Sequence, residues 1–355
     1  MARCLSFPVT QLGLVNSTLA EPFGYRAAFF IVKRQDSGRG SARSGFGLRA
    51  LRNGAQSLFR YSVGMSAKAT SYPGLLGEDR LLATPDGRQI HAMVRGNGAD
   101  LVVLEAGLGI SGLYWGPVHK LLAAHTRVVA YERAGYGESD PDDHPRTLAR
   151  LAADLDTVID AFPHRRLVLV GHSWGGPIVR VVATLRARRG QPVTGLVLVD
   201  PSDENSELYF SNTARRQFSA QAALMVPLAR LRILGPLFRK TIVGLQDPLL
   251  SAVVSASCSR PAARATAGEI RYVVDGLEGL RDTSTGLGDL PIRVISAQRA
   301  GVLDRKARAS IIRAHKETVA QNAGASFVPA DRSAHMVPIS EPGLVASETI
   351  TILTE

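Results

Sequence analysis

The chain has 355 residues, 45% of them hydrophobic and 21% charged, a balance that supports a large buried core and excludes disorder of the whole. Its best early apolar run, Ala27 to Val32, is broken by Lys33 and falls far short of the roughly 18 residues needed to cross a bilayer, so a soluble, cytoplasmic protein is expected. Two cysteines, Cys4 and Cys258, exclude a disulfide framework and stand in no Cys-x-x-Cys spacing of the zinc or redox kind.

The formal charge of +11 is unevenly spread. Residues 1–64 carry nine Lys or Arg against Glu21 and Asp36, a net of +7, which leaves +4 for the other 291 residues. No helical or alternating period persists there, and Ser37 to Gly47 is small, flexible and basic, so 1–64 read as a disordered basic extension. Met65 opens a plausible N-terminal lead, and translation is hypothesised to begin there naturally.

From residue 65 the pattern becomes regular. Asp79 to Thr84 and Arg88 to Arg95 flank the turn tripeptide Pro85-Asp86-Gly87 and predict a β-hairpin. Short apolar runs then recur at Leu101–Glu105, Arg127–Tyr131, Arg166–Val170, Leu196–Val199 and Ile292–Ser296, as expected of strands buried on both faces of a mostly parallel sheet. Helical segments alternate with them. In Thr147–Phe162, for example, Leu148, Leu151, Leu155, Val158, Ile159 and Phe162 form one apolar stripe for core packing. The alternation breaks between Asp200 and Pro291, where an Ala-, Leu- and Arg-rich stretch punctuated by prolines reads as a helical insertion. The expected layout is a core of residues 65–200 and 291–355 with residues 201–290 inserted before the penultimate strand.

The first motif met along the chain admits two readings. Gly107-Leu108-Gly109-Ile110-Ser111-Gly112 follows a strand as a dinucleotide-binding G-x-G-x-x-G would, and Glu132 follows the next strand about twenty residues on. That reading needs a helix from the second glycine, which Gly116-Pro117 would interrupt. With Pro117 as a first helical residue the helix is 117–124, and the glycines form a loop in front of it.

The second motif is more specific. Gly171-His172-Ser173-Trp174-Gly175-Gly176 joins the strand run RLVLV to a helical segment, the context that a G-x-S-x-G nucleophile elbow requires. A serine at such a kink strains its backbone, and Gly171 and Gly175 supply the small neighbours that the turn demands. The helix N-terminus beneath it offers backbone N–H groups and a positive dipole end to a developing oxyanion. Serine needs a base. His335 lies in a loop after the strand-like run Ala325–Ala330 and before a final helix, 342–353, in the order nucleophile, acid, histidine.

Four ordered motifs, VVLEAGLG, YERAGYGESD, GHSWGG and SAHMVPISEP, cover some 275 residues and resemble the alpha/beta-hydrolase superfamily. The resemblance implies an α/β fold with a mostly parallel central sheet flanked by helices. It implies an oxyanion hole made by the backbone N–H of Trp174 and one from Ala106-Gly107-Leu108, with Leu108 the chosen donor, and it makes the 201–290 insertion a lid. The sequence departs from the common pattern at the acid, because the strand after the insertion continues Ile295-Ser296-Ala297-Gln298-Arg299-Ala300-Gly301 with Asp304 only later. Some relatives take the acid from the preceding strand end, where Asp200 stands. Asp200 is therefore the assigned acid, with Asp203 and Asp304 the alternatives.

The expected activity is serine ester hydrolysis through Ser173, His335 and Asp200 on a small-molecule acyl substrate, for which neither metal nor organic cofactor is needed. A serine nucleophile argues against epoxide or haloalkane chemistry, which uses an aspartate. Acyl transfer, amide or carbon–carbon bond hydrolysis and cofactor-free haloperoxidation share the same framework, and a binding module without turnover is the non-enzymatic alternative. No zinc spacing or basic-aromatic stripe speaks for nucleic acid. The segment Ala223 to Lys240 mixes apolar and cationic residues, so a weak contact with an anionic lipid surface is also an expectation.

Overall fold

The computed structural model describes residues 71–282, 287–301 and 304–355. The basic extension and the Met65 start lie outside them. Eight strands, β1 (Glu78–Ala83), β2 (Gln89–Arg95), β3 (Leu101–Glu105), β4 (Arg127–Tyr131), β5 (Leu167–His172), β6 (Gly195–Val199), β7 (Ile292–Ala297) and β8 (Ala325–Ala330), form one sheet in the order β1-β2-β4-β3-β5-β6-β7-β8. The β1–β2 hairpin joins antiparallel to β4, and β4, β3 and β5 through β8 run parallel.

The central strands are apolar on both faces for a physical reason visible in their alternation. Leu101 and Val103 of β3, Leu167 and Leu169 of β5, and Leu196 and Leu198 of β6 enter one core; Val102, Val168, Val170, Val197 and Val199 enter the core on the opposite face. Helices α1 (Gly116–Leu122), α2 (Leu148–Asp160) and α3 (Gly175–Arg188) make the early crossovers. The stripe read for α2 is the buried one, with Leu151, Leu155, Val158 and Ile159 fully covered.

Between β6 and β7 lie α4 (Asn212–Arg230), α5 (Leu234–Arg239), α6 (Leu249–Cys258), α7 (Arg260–Ile270) and α8 (Val273–Asp282); α9 (Arg305–Ala320), α10 (Val337–Ser340) and α11 (Pro342–Thr354) complete the chain. Helix α7 packs over the loop after β3, where a Cβ at Gly109 would lie 3.1 Å from Thr266. The apolar-cationic segment spans the end of α4 and α5, and Leu231, Ile233 and nearby Val243 are exposed there. Among the described residues, no helix is long and apolar enough to cross a membrane.

The strand order fixes where a site can form. From β3 the chain crosses to β4 on one side, whereas β5 lies on its other side. The loops after β3 and β5 therefore part at the carboxyl ends of adjacent strands, the switch point at which open α/β sheets place their sites.

Candidate active site

Ser173 stands at that switch point, one residue beyond β5 and two before α3. Its φ of 53° is left-handed, a strain that three backbone bonds hold in place: its N–H donates to Val199 O, and its carbonyl accepts from the N–H groups of Gly176 and Ser202, each 3.0 Å long. The flanking glycines are required by contact. A Cβ at Gly171 would lie 2.4 Å from Gly175 O, and one at Gly175 would lie 2.6 Å from Glu105 O and 2.8 Å from Ala106 O. Gly175→Ala is expected to cost about 1–3 kcal/mol, the range for overpacking a tight interior, measured as a lower urea midpoint.

His335 meets the serine from the far end of the chain, 162 residues on, and the Ser173 hydroxyl donates to its Nε2 at 3.1 Å. Its Nδ1 faces Asp200 Oδ2 at 2.7 Å. An ionised carboxylate only accepts, so this contact puts the imidazole proton on Nδ1 and leaves Nε2 as the acceptor for the serine. The loop carrying the histidine is itself pinned, because Glu341 accepts from the Arg332 N–H at 3.0 Å and from the Ser333 hydroxyl at 2.5 Å.

Asp200 directly follows β6, has φ of 40° and is 2% exposed. Its Oδ1 accepts from Ala297 N at 3.0 Å and from Arg308 Nη1 of α9 at 2.6 Å. Burial disfavours its charge, but the Arg308 guanidinium, the His335 contact and the nearby His315 outweigh that and hold the carboxyl far below the usual carboxylate range. The two alternative acids are placed elsewhere. Asp203 is buried and accepts from Asn205 N and the Thr318 hydroxyl, at 2.9 and 2.6 Å. Asp304 precedes α9, and its backbone N–H bonds Gly301 O.

His172, the residue before the serine in the same motif, lies against this assembly. Its ring centroid is 4.7 Å from that of His335, and its Nε2–H donates to the His335 carbonyl at 2.9 Å. Burial, followed by the neighbouring His335 charge, pushes it down to about 3, so it is neutral at physiological pH. Arg308 gave no sequence signal, standing 108 residues from its carboxylate. Trp174 is buried at the head of α3, and Leu108 lies in the loop after β3; a Cβ at the adjacent Gly107 would be 3.4 Å from Ser173 Cβ.

The glycine-rich loop is not built for a dinucleotide. Residues 112–115 form a 3₁₀ turn and α1 starts only at Gly116, while a Cβ at Gly112 would lie 2.0 Å from Tyr131 O. Glu132, the residue that would have bound a ribose, instead accepts from the Ser111 hydroxyl at 2.5 Å and from Glu138 N at 2.8 Å. Asp86, Asp142 and His144 bring ligand-type atoms within 4.8 Å of one another. Arg88, Arg146 and Arg150 pair with those carboxylates, so the cluster is an ion-pair network.

The sequence model of the alpha/beta hydrolase family matches residues 101–348, and the chain belongs to that family. It is similar to "Putative carbamate hydrolase RutD" of Caulobacter vibrioides, strain NA1000 / CB15N, 37% identical over 99 residues, which are 27% of this chain and 36% of the relative. Mouse "Epoxide hydrolase 4" is 33% identical over 100 residues, 27% of this chain and 28% of that one. The chain thus spans about a third of the length of the curated relatives it matches. The solved structure of an esterase (EaEST) from Exiguobacterium antarcticum superimposes with a TM-score of 0.60 at 17% identity, covering 78% of this chain and 99% of the other, a likeness of fold.

Proposed function

We propose that the protein is a serine hydrolase that cleaves a carboxylic ester, or a related acyl substrate, through an acyl-enzyme. The observation that carries this reading is the unbroken hydrogen-bond chain from the Ser173 hydroxyl through His335 to the Asp200 carboxylate. Ser173 Oγ attacks the acyl carbonyl as His335 Nε2 takes its proton, and Asp200 holds the imidazole in its tautomer and balances the imidazolium. The N–H groups of Trp174 and Leu108 receive the oxyanion. His335 returns the proton to the leaving group, and a water activated by the same nitrogen releases the acid and regenerates the serine.

The relatives' names include a carbamate and an epoxide hydrolase. A carbamate presents a carbonyl that this mechanism can attack. An epoxide would leave Ser173 as an ether, which water does not cleave, so the serine favours an acyl carbonyl. The 201–290 insertion is assigned the lid that shapes the substrate pocket.

Labelling with a fluorophosphonate tests the reading. The protein is expected to be modified at one site, and Ser173→Ala is expected to abolish that modification. Undiminished labelling of Ser173→Ala, or an inert wild type, would overturn it, and an ester panel of increasing chain length would then size the acyl pocket of the active protein.

A further inference from the structure

The loop assigned to the oxyanion hole is held from behind by a buried arginine that the mechanism above does not use. Arg133, just beyond β4, is 3% exposed, and every one of its five N–H donors has an acceptor. Nη1 donates to Glu105 Oε1 and to the Ala106 carbonyl, both at 2.7 Å. Nη2 donates to the Gly107 carbonyl at 2.6 Å and to Glu269 Oε2 at 2.9 Å, and Nε donates to Glu269 Oε1 at 3.2 Å.

Two of those acceptors are consecutive carbonyls of the loop beside Ser173. In a trans peptide the C=O and N–H point in opposite directions, so fixing the Gly107 carbonyl on Arg133 directs the Leu108 N–H of the same peptide plane away from it. The carboxylates fix the arginine in turn. Glu105 ends β3, whereas Glu269 comes from α7 in the insertion, is fully buried, and also accepts from Arg146 Nη2 at 3.1 Å. Two arginines thus face two glutamates, and α7 is tied into the wall behind the loop.

We propose that Arg133 is a positioning residue for the oxyanion loop, and that Glu269 of the insertion is the latch that keeps it there. The proposal rests on the serine-hydrolase reading for its effect on rate, although not for its effect on the loop. Without the Glu269 charge, Arg133 is drawn toward Glu105, the Gly107 carbonyl loses its donor, and its peptide plane becomes free to turn. A turned plane removes one oxyanion donor, a loss felt in the transition state and not in substrate binding. A lysine could not replace Arg133, because only a planar fork spans two carbonyls and a bidentate carboxylate at once.

The test compares full-length wild type with Glu269→Gln by two independent readouts. The first is p-nitrophenyl butyrate turnover per active site titrated with fluorophosphonate. The kcat is expected to fall about 10²–10³-fold, the effect of losing one oxyanion donor, with KM within about threefold. The second is amide hydrogen exchange, expected to rise in residues 106–110 and not in the strands. If Glu269→Gln does not fold, Glu269→Asp, which keeps the charge but withdraws it by one methylene, carries the same comparison. Wild-type kcat per titrated site together with wild-type exchange in the loop would overturn the latch. An inert wild type whose variant nevertheless shows raised loop exchange would support the latch and overturn the hydrolase reading.

Discussion

Asp200→Asn is expected to lower kcat for p-nitrophenyl butyrate about 10⁴-fold while leaving fluorophosphonate reactivity weak but detectable, since Ser173 and the loop after β3 keep their places. The reason lies in the direction of one hydrogen bond. The carboxylate accepts from His335 Nδ1 at 2.7 Å, which leaves Nε2 bare toward Ser173. An asparagine amide in the same place has to satisfy Arg308 and Ala297 N with its oxygen, because both are donors. Its NH₂ group then faces His335 and is satisfied by an unprotonated Nδ1, moving the ring proton to Nε2, where it blocks proton uptake from the serine. Asp304→Asn and Asp203→Asn are expected to stay within tenfold of wild type. A 10⁴-fold loss in either of them, with Asp200→Asn active, would move the acid and undo the site as described.

Much of this arrangement was legible in the sequence because it is governed by short-range rules. The elbow could be read because a left-handed serine between a buried strand and a helix leaves room only for glycine two positions to either side, and a Cβ at Gly171 or Gly175 would indeed collide with backbone oxygens. The two-faced strands could be read because Leu and Val alternate into opposite cores. Helix ends are less sharply written in the sequence: α3 starts at Gly175 although Pro177 follows two residues later, because a proline is tolerated in the first turn, where its missing N–H costs nothing.

What stayed illegible is the long-range electrostatics. Arg308, His172, Arg133 and Glu269 act through partners that the fold, and not the spacing, brings together. YERAGYGESD was a family signature before it was a contact. Only the packing of α7 shows that Arg133 spans the carbonyls of the loop after β3 and a carboxylate 136 residues away. The choice among Asp200, Asp203 and Asp304 was open for the same reason. Each lies near a strand or helix end, and what separates them is which one the backbone of β7 and the guanidinium of α9 surround.

The Arg308–Asp200 pair leads to the second large effect. Arg308→Leu is expected to destabilise the fold by about 3–5 kcal/mol at neutral pH, the cost of leaving a buried carboxylate without its counter-charge. Asp200 is 2% exposed and cannot recover the loss from water. The pH dependence gives the proposal its sign. In the wild type the folded-state carboxyl titrates far below its unfolded value of about 3.9, so its ionised form contributes stability that is complete above about pH 5 and is lost as the pH falls. In Arg308→Leu the largest attraction is gone while the desolvation, the His335 contact and His315 remain, so the folded-state value moves up toward the unfolded one and protonation costs the variant less than it costs the wild type. The gap between the two proteins, read from urea midpoints, should therefore be widest at pH 7 and narrow toward pH 4. A gap that stays constant, or widens on acidification, would mean that Arg308 stabilises the fold through packing, and that the charge on Asp200 is held by His335 and the Ala297 N–H without it.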